Sequence, residues 1–263
     1  MTDDFLGLAQ SIAIQAGEYA QERRRGHVEV AATKSNARDI VTQVDRDTES
    51  LIRDLIRQSR PNDAIFGEEE GGAAGSSGIT WIIDPIDGTV NFLYDVPQWA
   101  VSIAVVAGEP DPASWQPLAG AVFNPGANEL FSASADGPAE LNGRPIQANH
   151  DVPLDAALVI TGFAYGLEPR QQQTEHVARL LPRVRDLRRF GAASLDLCFV
   201  ACGRADAYYE ATTSVWDFAA GALIAQRAGA KVWGWNGQPP SRDMVIAAPE
   251  PLFAELEAVL LAH

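Results

Sequence analysis

Apolar residues near the start of the chain recur at the spacing of one helical face. Phe5, Leu8 and Ile12 would lie on the same side of a helix. Three consecutive arginines follow, where the C-terminal end of a helix favours positive charge. Similar patterns, or apolar runs of helical length, recur further along the chain. We therefore predict helices over residues 4–25, 45–58, 176–181, 193–201, 216–227 and 252–261.

Short apolar runs that end near Gly, Pro or Asn predict strands. They lie at residues 64–66, 81–83, 100–107, 118–123, 129–135, 158–161, 230–235 and 243–247. The Gly- and Ser-rich segment GEEEGGAAGSSG at 67–78 predicts a mobile loop. Because helices and strands do not alternate regularly, we predict a layered α/β or α+β fold. We expect one domain over residues 1–263, with two lobes that meet near 145–155.

Composition narrows the class of protein. With 46% hydrophobic residues among 263, the chain can bury an ordinary core, and no apolar run reaches the roughly 18 residues of a membrane span. The acidic first ten residues argue against a secretory signal peptide. The two cysteines, Cys198 and Cys202, have the spacing of buried thiols on one helical face. We therefore expect a cytoplasmic protein.

The formal net charge of −15 restricts the partners of the chain. It argues against nucleic acid or an anionic membrane, because both attract clustered Lys and Arg. It would also repel a phosphate substrate unless bound cations reversed the local field. The acidity of the chain therefore agrees with metal binding but does not by itself require it.

The segment WIIDPIDGTVNF carries the strongest chemical signal. An apolar strand leads into Asp84, and Asp87 follows beyond a rigid proline turn. These two carboxylates, with a carbonyl oxygen such as that of Ile86, suit hard cations. The backbone amides of Gly88 and Thr89 come next, at a predicted helix start, which suits a phosphate oxygen. The alternative is a plain strand-to-helix connection in which one aspartate caps the helix.

Two further acids extend this set. Glu68 begins an acidic triplet directly after a predicted strand, although such triplets are usually solvated patches. Asp217 lies at a predicted helix start, where an aspartate is ordinarily a cap. The four histidines are scattered and lack the spacing of a zinc site. Ligation by oxygen alone therefore favours Mg²⁺ or Mn²⁺.

Together these motifs resemble those of the inositol monophosphatase family, within the lithium-sensitive, metal-dependent sugar-phosphatase superfamily. The matching segments occur in family order and span most of the chain. They are Lys34 with DIVTQVD (39–45), GEE (67–69), WIIDPIDGTVNF (81–92), GAASLDL (191–197) and ADAYYE with WDFAAG (205–221). The resemblance implies a layered α/β/α/β/α sandwich, and members of the family are commonly homodimers.

The resemblance also implies a site for two or three Mg²⁺ ions, with Mn²⁺ as an alternative. Glu68, Asp84 and the carbonyl oxygen of Ile86 would hold the first ion. Asp84, Asp87 and Asp217 would hold the second, and Glu68 would assist a third through water.

Catalytic and substrate-binding roles follow from the same resemblance. Thr89, paired with Asp45, would position and deprotonate the attacking water, and Glu68 is counted with them as catalytic. The segment 161–165 is expected to help select the substrate. The residues implied to contact the phosphate or the alcohol part of the substrate are Asp87, Gly88, Thr89, Gly191, Ala192, Ala193, Glu210 and Asp217.

The predicted activity is Mg²⁺-dependent hydrolysis of a small phosphate monoester, with inositol monophosphate as the first choice. Histidinol phosphate, fructose 1,6-bisphosphate and a phosphoadenosine nucleotide are alternatives. Glu210 does not decide between inositol phosphate and histidinol phosphate, because it suits either a polyol hydroxyl or an amine. Two interpretations outside catalysis also stay open. One is a regulatory or interaction protein that keeps the fold, and the other is a structural domain stabilised by Ca²⁺.

Overall fold

The computed structural model describes residues 2–25, 30–33 and 40–262. Lys34 and the start of the DIVTQVD segment lie outside these residues. The described helices are α1 (Thr2–Arg24), α2 (Gln43–Ser59), α3 (Thr89–Leu93), α4 (Leu167–Leu180), α5 (Ala193–Ala201), α6 (Val215–Arg227) and α7 (Leu252–Leu261).

The strands belong to three sheets. A two-stranded sheet pairs β1 (Val30–Thr33) with β2 (Ile40–Thr42). An eight-stranded sheet has the order β10-β9-β8-β7-β6-β5-β3-β4, and a five-stranded sheet has the order β12-β11-β13-β15-β14. Their strands are β3 (Ala64–Gly67), β4 (Gly71–Ala73), β5 (Ile79–Asp87), β6 (Ala100–Ala107), β7 (Gln116–Asn124), β8 (Glu129–Ser134), β9 (Glu140–Leu141), β10 (Arg144–Pro145), β11 (Leu158–Thr161), β12 (Asp186–Arg188), β13 (Ala207–Glu210), β14 (Lys231–Trp233) and β15 (Val245–Ala248).

Alternation along the strands places a hydrophobic core on each face of both large sheets. On β5, Trp81 and Ile83 pack toward α1 and α2, whereas Ile82 packs toward α5 and α6. On β13, Tyr208 faces α5 and α6, and Tyr209 faces the outer core that contains α7. These strands are therefore apolar almost throughout, as expected when both faces are covered.

The layers follow from these contacts. Helices α1 and α2 cover one face of the eight-stranded sheet, α5 and α6 lie between the two sheets, and α7, with α4 against it, covers the outer face of the five-stranded sheet. This order is α/β/α/β/α, so the predicted layered sandwich is confirmed.

The middle layer explains the composition of α5. Every residue from Ala193 to Ala201 is buried, because sheets lie on both sides of the helix. Its sequence therefore lacks a polar stripe. Cys198 within it is buried, Cys202 just beyond it is partly buried, and both are free thiols. Among the described residues, no helix combines the length and the apolar character needed to cross a membrane.

Several predicted boundaries were wrong. The helix predicted at 176–181 begins at Leu167. Its first turns were not predicted because they are mostly exposed and lack an apolar stripe, and Pro169 within them is tolerated near a helix start. The predicted loop after β3 contains β4, which pairs with β3. Strand β12 was missed because it is a short edge strand with charged ends.

Candidate active site

The site lies where the carboxyl ends of β3 and β5 meet. These strands run parallel, with Gly67 opposite Ile83, so the residues that follow them emerge at the same edge of the sheet. Glu68 follows β3 directly. The register of β5 with β6 shifts between Asp84 and Asp87, around a proline that cannot donate a ladder hydrogen bond. The parallel pairing and the register shift thus bring Glu68, Asp84 and Asp87 to one edge of the sheet.

Asp84, Asp87 and Asp217 form a carboxylate cluster. One oxygen of each lies within 4.8 Å of the others. Burial, and next the charges of Glu68, Asp87 and Asp217, raise the pKa of Asp84 well above its usual range. Three ionised acids this close repel one another, and a bound divalent cation removes that cost. The cluster offers only oxygen donors, so these residues fit Mg²⁺.

Ser194, at the start of α5, holds Asp87 in place. Its backbone N–H and its hydroxyl both donate to Oδ2 of Asp87, at 2.7 and 2.5 Å. Burial raises the pKa of Asp87 to about 6, while the Ser194 bonds oppose that rise. One carboxylate oxygen is therefore fixed by the protein, which orients the other.

Asp217 both caps a helix and belongs to the cluster, so the two interpretations of its sequence position are compatible. Its Oδ2 accepts from the backbone N–H of Ser214 at 2.6 Å in a capping box at the start of α6. Arg242 donates to the Ser214 hydroxyl at 2.7 Å. The preceding turn contains Thr212 at φ 72°, a strained conformation for a β-branched residue.

Thr89 and Asp45 form a hydrogen-bonded pair beside the cluster. The Thr89 hydroxyl lies 3.1 Å from both Oδ1 of Asp45 and the carbonyl oxygen of Ile86, and it can donate to either. Asp45 is almost fully buried, and its Oδ2 accepts from Thr42 in the capping box that begins α2. Burial raises the pKa of Asp45 to about 6. Gly88, at φ 92°, provides the turn that aims Thr89 at Asp45.

A cavity of about 500 Å³ opens above these groups. The predicted site residues that line it are Glu68, Asp84, Ile86, Asp87, Gly88, Thr89, Gly191, Ala193, Glu210 and Asp217. Residues 162–166 form part of its wall, at the segment expected to select the substrate. Asp45 does not line the cavity, and it is linked to the cavity wall through the hydroxyl of Thr89. The structure does not bring Ala192 to the cavity surface, because it is buried behind Gly88.

Glu210 projects into the cavity from β13 and is tightly enclosed. The hydroxyl of Tyr208 donates to its Oε2 at 3.0 Å. A Cβ added at Gly162 would lie only 2.0–2.2 Å from its carboxylate atoms, so glycine is needed for this close approach. Burial raises the pKa of Glu210 to about 7. The wall of the cavity next to Gly162 therefore carries one acid of fixed position.

The residues that orient these acids were not predicted from the sequence. Thr42 had a visible signal, because TQVD has the capping-box spacing that the Asp45 bond confirms. Ser194 lies 107 residues from Asp87, and no local pattern connects them. Glu49 and Arg53, on α2, were also missed, although they share a four-residue spacing with Asp45.

Comparisons with known proteins agree with this geometry. The model of the inositol monophosphatase family matches residues 1–262. A relative from Mycobacterium tuberculosis (strain H37Rv), named inositol-1-monophosphatase SuhB, is 42% identical over 267 residues, covering 94% of this chain and 90% of the relative. A relative from Escherichia coli K12, named Nus factor SuhB, is 37% identical over 237 residues, covering 88% and 85%.

A solved structure has the same fold. The extragenic suppressor protein SuhB from Bartonella henselae superposes with a TM-score of 0.89 at 31% identity, covering 97% of each chain.

Proposed function

The chain belongs to the inositol monophosphatase family, and we propose that it is a Mg²⁺-dependent phosphatase of small phosphate monoesters, with inositol monophosphate as its principal substrate. One observation carries the proposal. A carboxylate cluster, in which Asp84 and Asp87 are buried and Asp217 is partly buried, lies beside the Thr89–Asp45 pair at the floor of a cavity that is large enough for a sugar-sized ester.

The cluster and its neighbours would hold the metal ions. In this proposal Glu68, Asp84 and the carbonyl oxygen of Ile86 bind one Mg²⁺. Asp84, Asp87 and Asp217 bind a second, and a third is held through water on Glu68. Bound there, Mg²⁺ lowers the pKa of water and offsets the charge that develops on the transferring phosphoryl group. The protein fixes the oxygens beforehand through Ser194 and Ser214.

Thr89 and Asp45 would handle the proton of the attacking water. While its hydroxyl donates to Oδ1 of Asp45, the Thr89 oxygen is free to accept a hydrogen bond from that water. As the water attacks, Thr89 takes its proton at Oγ1 and passes its own to Asp45. A pKa of about 6 makes Asp45 a usable base near neutral pH.

The alcohol part of the substrate would meet the opposite wall. Glu210 accepts hydrogen bonds from polyol hydroxyls, and the amides of Gly88 and Thr89 bind phosphate oxygens. Gly191 and Ala193 add a surface of small residues against the sugar ring. An inositol ester is favoured over histidinol phosphate, fructose 1,6-bisphosphate and phosphoadenosine nucleotides because the relative that is 42% identical is named an inositol-1-monophosphatase.

Further properties belong to the same proposal. We propose inhibition by lithium, a homodimeric state and a cytoplasmic location, in which Cys198 and Cys202 stay reduced. Mn²⁺ would replace Mg²⁺, because the ligands are all oxygens.

The test replaces Asp84, the acid assigned to both principal ions. Asp84→Asn should fold but lose Mg²⁺-dependent turnover by about a thousandfold or more, because metal stabilisation of the transition state is worth several kcal/mol. Asp54→Asn, at an exposed acid on α2, is the matched control. The substrate panel contains the four phosphate esters named above, each with and without lithium. Full activity in Asp84→Asn would refute the metal assignment.

A second candidate role is a non-catalytic one in a protein assembly, because a relative 37% identical over most of the chain is named a Nus factor. The two roles are separable. If Asp84→Asn abolishes hydrolysis in vitro but complements a deletion in cells, the assembly role is favoured. If it fails to complement, the cellular role requires catalysis.

A further inference from the structure

Helix α2 carries a stripe of buried charge that the proposed mechanism uses only in part. Asp45, Glu49 and Arg53 follow one another at four-residue spacing and therefore share a face. Their exposed fractions are 1%, 0% and 2%. Charged side chains are almost never fully buried without a specific partner. Asp45 serves Thr89, which leaves Glu49 and Arg53 to be explained.

Glu49 grips the turn between β3 and β4. Its Oε2 accepts from the backbone N–H of Glu69 at 2.8 Å, and its Oε1 accepts from the N–H of Glu70 at 2.9 Å. The carboxylate sits against Gly67, where an added Cβ would lie 2.5 Å from Oε1. The residues before and after Glu68 are thus both in contact with one buried carboxylate.

Arg53, one helical turn after Glu49, binds both Glu49 and the end of the β3–β4 turn. Its Nε donates to Oε1 of Glu49 at 2.9 Å, and its Nη2 donates to the carbonyl oxygen of Gly71 at 2.5 Å. The same side chain lies 3.4 Å from the carboxylate of Glu70. Glu49 and Arg53 therefore bind the turn along its whole length from Gly67 to Gly71.

Stability alone is a poor explanation for this pair. A buried ion pair often contributes no more than well-packed apolar residues of the same volume, because both charges lose their hydration. The pair is also neutral overall, so it adds little to the field at the carboxylate cluster. What it does provide is a fixed backbone on both sides of Glu68.

We propose that Glu49 and Arg53 are positioning residues that hold the β3–β4 turn so that Glu68 is presented as a metal ligand. This inference rests on the metal-binding role of Glu68 in the proposed function. Helix α2 then orients two parts of the site, with Asp45 directing Thr89 and Glu49, one turn later, directing Glu68. Loss of the pair should weaken Mg²⁺ binding, as does the loss of other residues that orient a metal ligand without contacting the metal.

The test compares Mg²⁺ binding by calorimetry in the full-length protein. Glu49→Gln keeps the shape but replaces one acceptor oxygen with a donor. The double variant Glu49→Gln with Arg53→Met keeps the net charge of the pair, and it leaves no unpaired buried cation that would impair folding. Arg57→Ala, which removes an exposed ion pair on the same helix, is the control.

Both Glu49 variants should bind Mg²⁺ about 10- to 100-fold more weakly than the native protein. The circular dichroism of the double variant in EDTA should match that of the native protein, and Arg57→Ala should bind normally. A folded double variant with native Mg²⁺ affinity overturns the inference. Asp84→Asn separates the two levels: if only Asp84→Asn loses Mg²⁺ binding, the positioning role fails alone, and if Asp84→Asn also binds normally, the proposed function fails.

Discussion

The Ser194 hydroxyl offers a quantitative test of how the protein prepares Asp87. Ser194→Ala removes the hydrogen bond from Oγ at 2.5 Å and leaves the backbone N–H in place at 2.7 Å. The side chain is fully buried, and the change deletes a single oxygen atom. The fold should therefore persist, while the ionised form of Asp87 loses one of its donors.

The size of the effect follows from the pKa of Asp87. A hydrogen bond to a charged group contributes about 1.5–3 kcal/mol, and one pKa unit corresponds to about 1.4 kcal/mol. Ser194→Ala should therefore raise the pKa of Asp87 from about 6 by roughly one to two units. At pH 6 the ionised fraction falls from about a half to between a tenth and a hundredth, so Mg²⁺ affinity drops about 5- to 50-fold.

The pH dependence of this deficit makes the prediction specific. At about pH 9 the carboxylate is ionised in both proteins, and their affinities for Mg²⁺ should agree. Calorimetric titration with Mg²⁺ at both pH values measures the ratio directly, and the contributions of Asp84 and Asp217 largely cancel between the two proteins. Ser132→Ala, at another buried serine whose hydroxyl accepts from Gln10, controls for lost packing. A deficit of equal size at pH 6 and pH 9 would refute the reasoning.

Three other predictions concern the same site. Thr89→Ala should lower kcat about 10²- to 10⁴-fold at saturating Mg²⁺, whereas Thr89→Ser, which keeps the hydroxyl near Asp45, should retain most activity; equal losses would exclude a role for the hydroxyl. The pKa values of Asp45 and Asp87 are raised from 3.8 to about 6. Between these two pH values the metal-free folded protein therefore binds more protons than the unfolded chain. Its free energy of unfolding falls by about 3 kcal/mol per group as the pH rises through this range. In EDTA the protein should therefore melt at a lower temperature at about pH 8 than at about pH 5. Added Mg²⁺ should raise the melting temperature more at the higher pH, and equal rises at the two pH values would contradict this account. Gly162→Ala should raise KM for inositol phosphate about tenfold by displacing Glu210, but not for an ester whose alcohol lacks hydroxyl groups; a rise for both would indicate general damage.

Local patterns in the sequence were enough to mark Glu68, Asp84, Asp87 and Asp217 as candidate metal ligands, whereas the Thr89 hydroxyl, Asp45 and Glu210 were found only through the family resemblance. Asp84, Asp87 and Thr89 lie within six residues around a proline. The apolar runs that precede Glu68 and Asp84 predict strands, so the positions where those strands end could also be predicted. The layered fold was also predictable, through the family resemblance. The assigned roles of these residues stay predictions until the variants are measured.

The supports of the site were not predictable, because they act across the fold. Ser194 reaches Asp87 only after α5 is inserted between the two sheets. Glu49 and Arg53 border the apolar stripe that contains Ile52, so by sequence alone they resemble the solvated edge of an amphipathic helix. Only the turn packed above them reveals that this edge is buried.

The helical layer between the sheets has a further consequence, which concerns how the protein opens. Because α5 has a sheet on each side, neither sheet can separate from it without exposing the core that serves the other. Backbone amides of α5 should therefore exchange with solvent deuterium only through global unfolding, and the two sheets should lose protection together. The cavity takes Asp84 from one sheet and Glu210 from the other, so its width is set by a single cooperative unit.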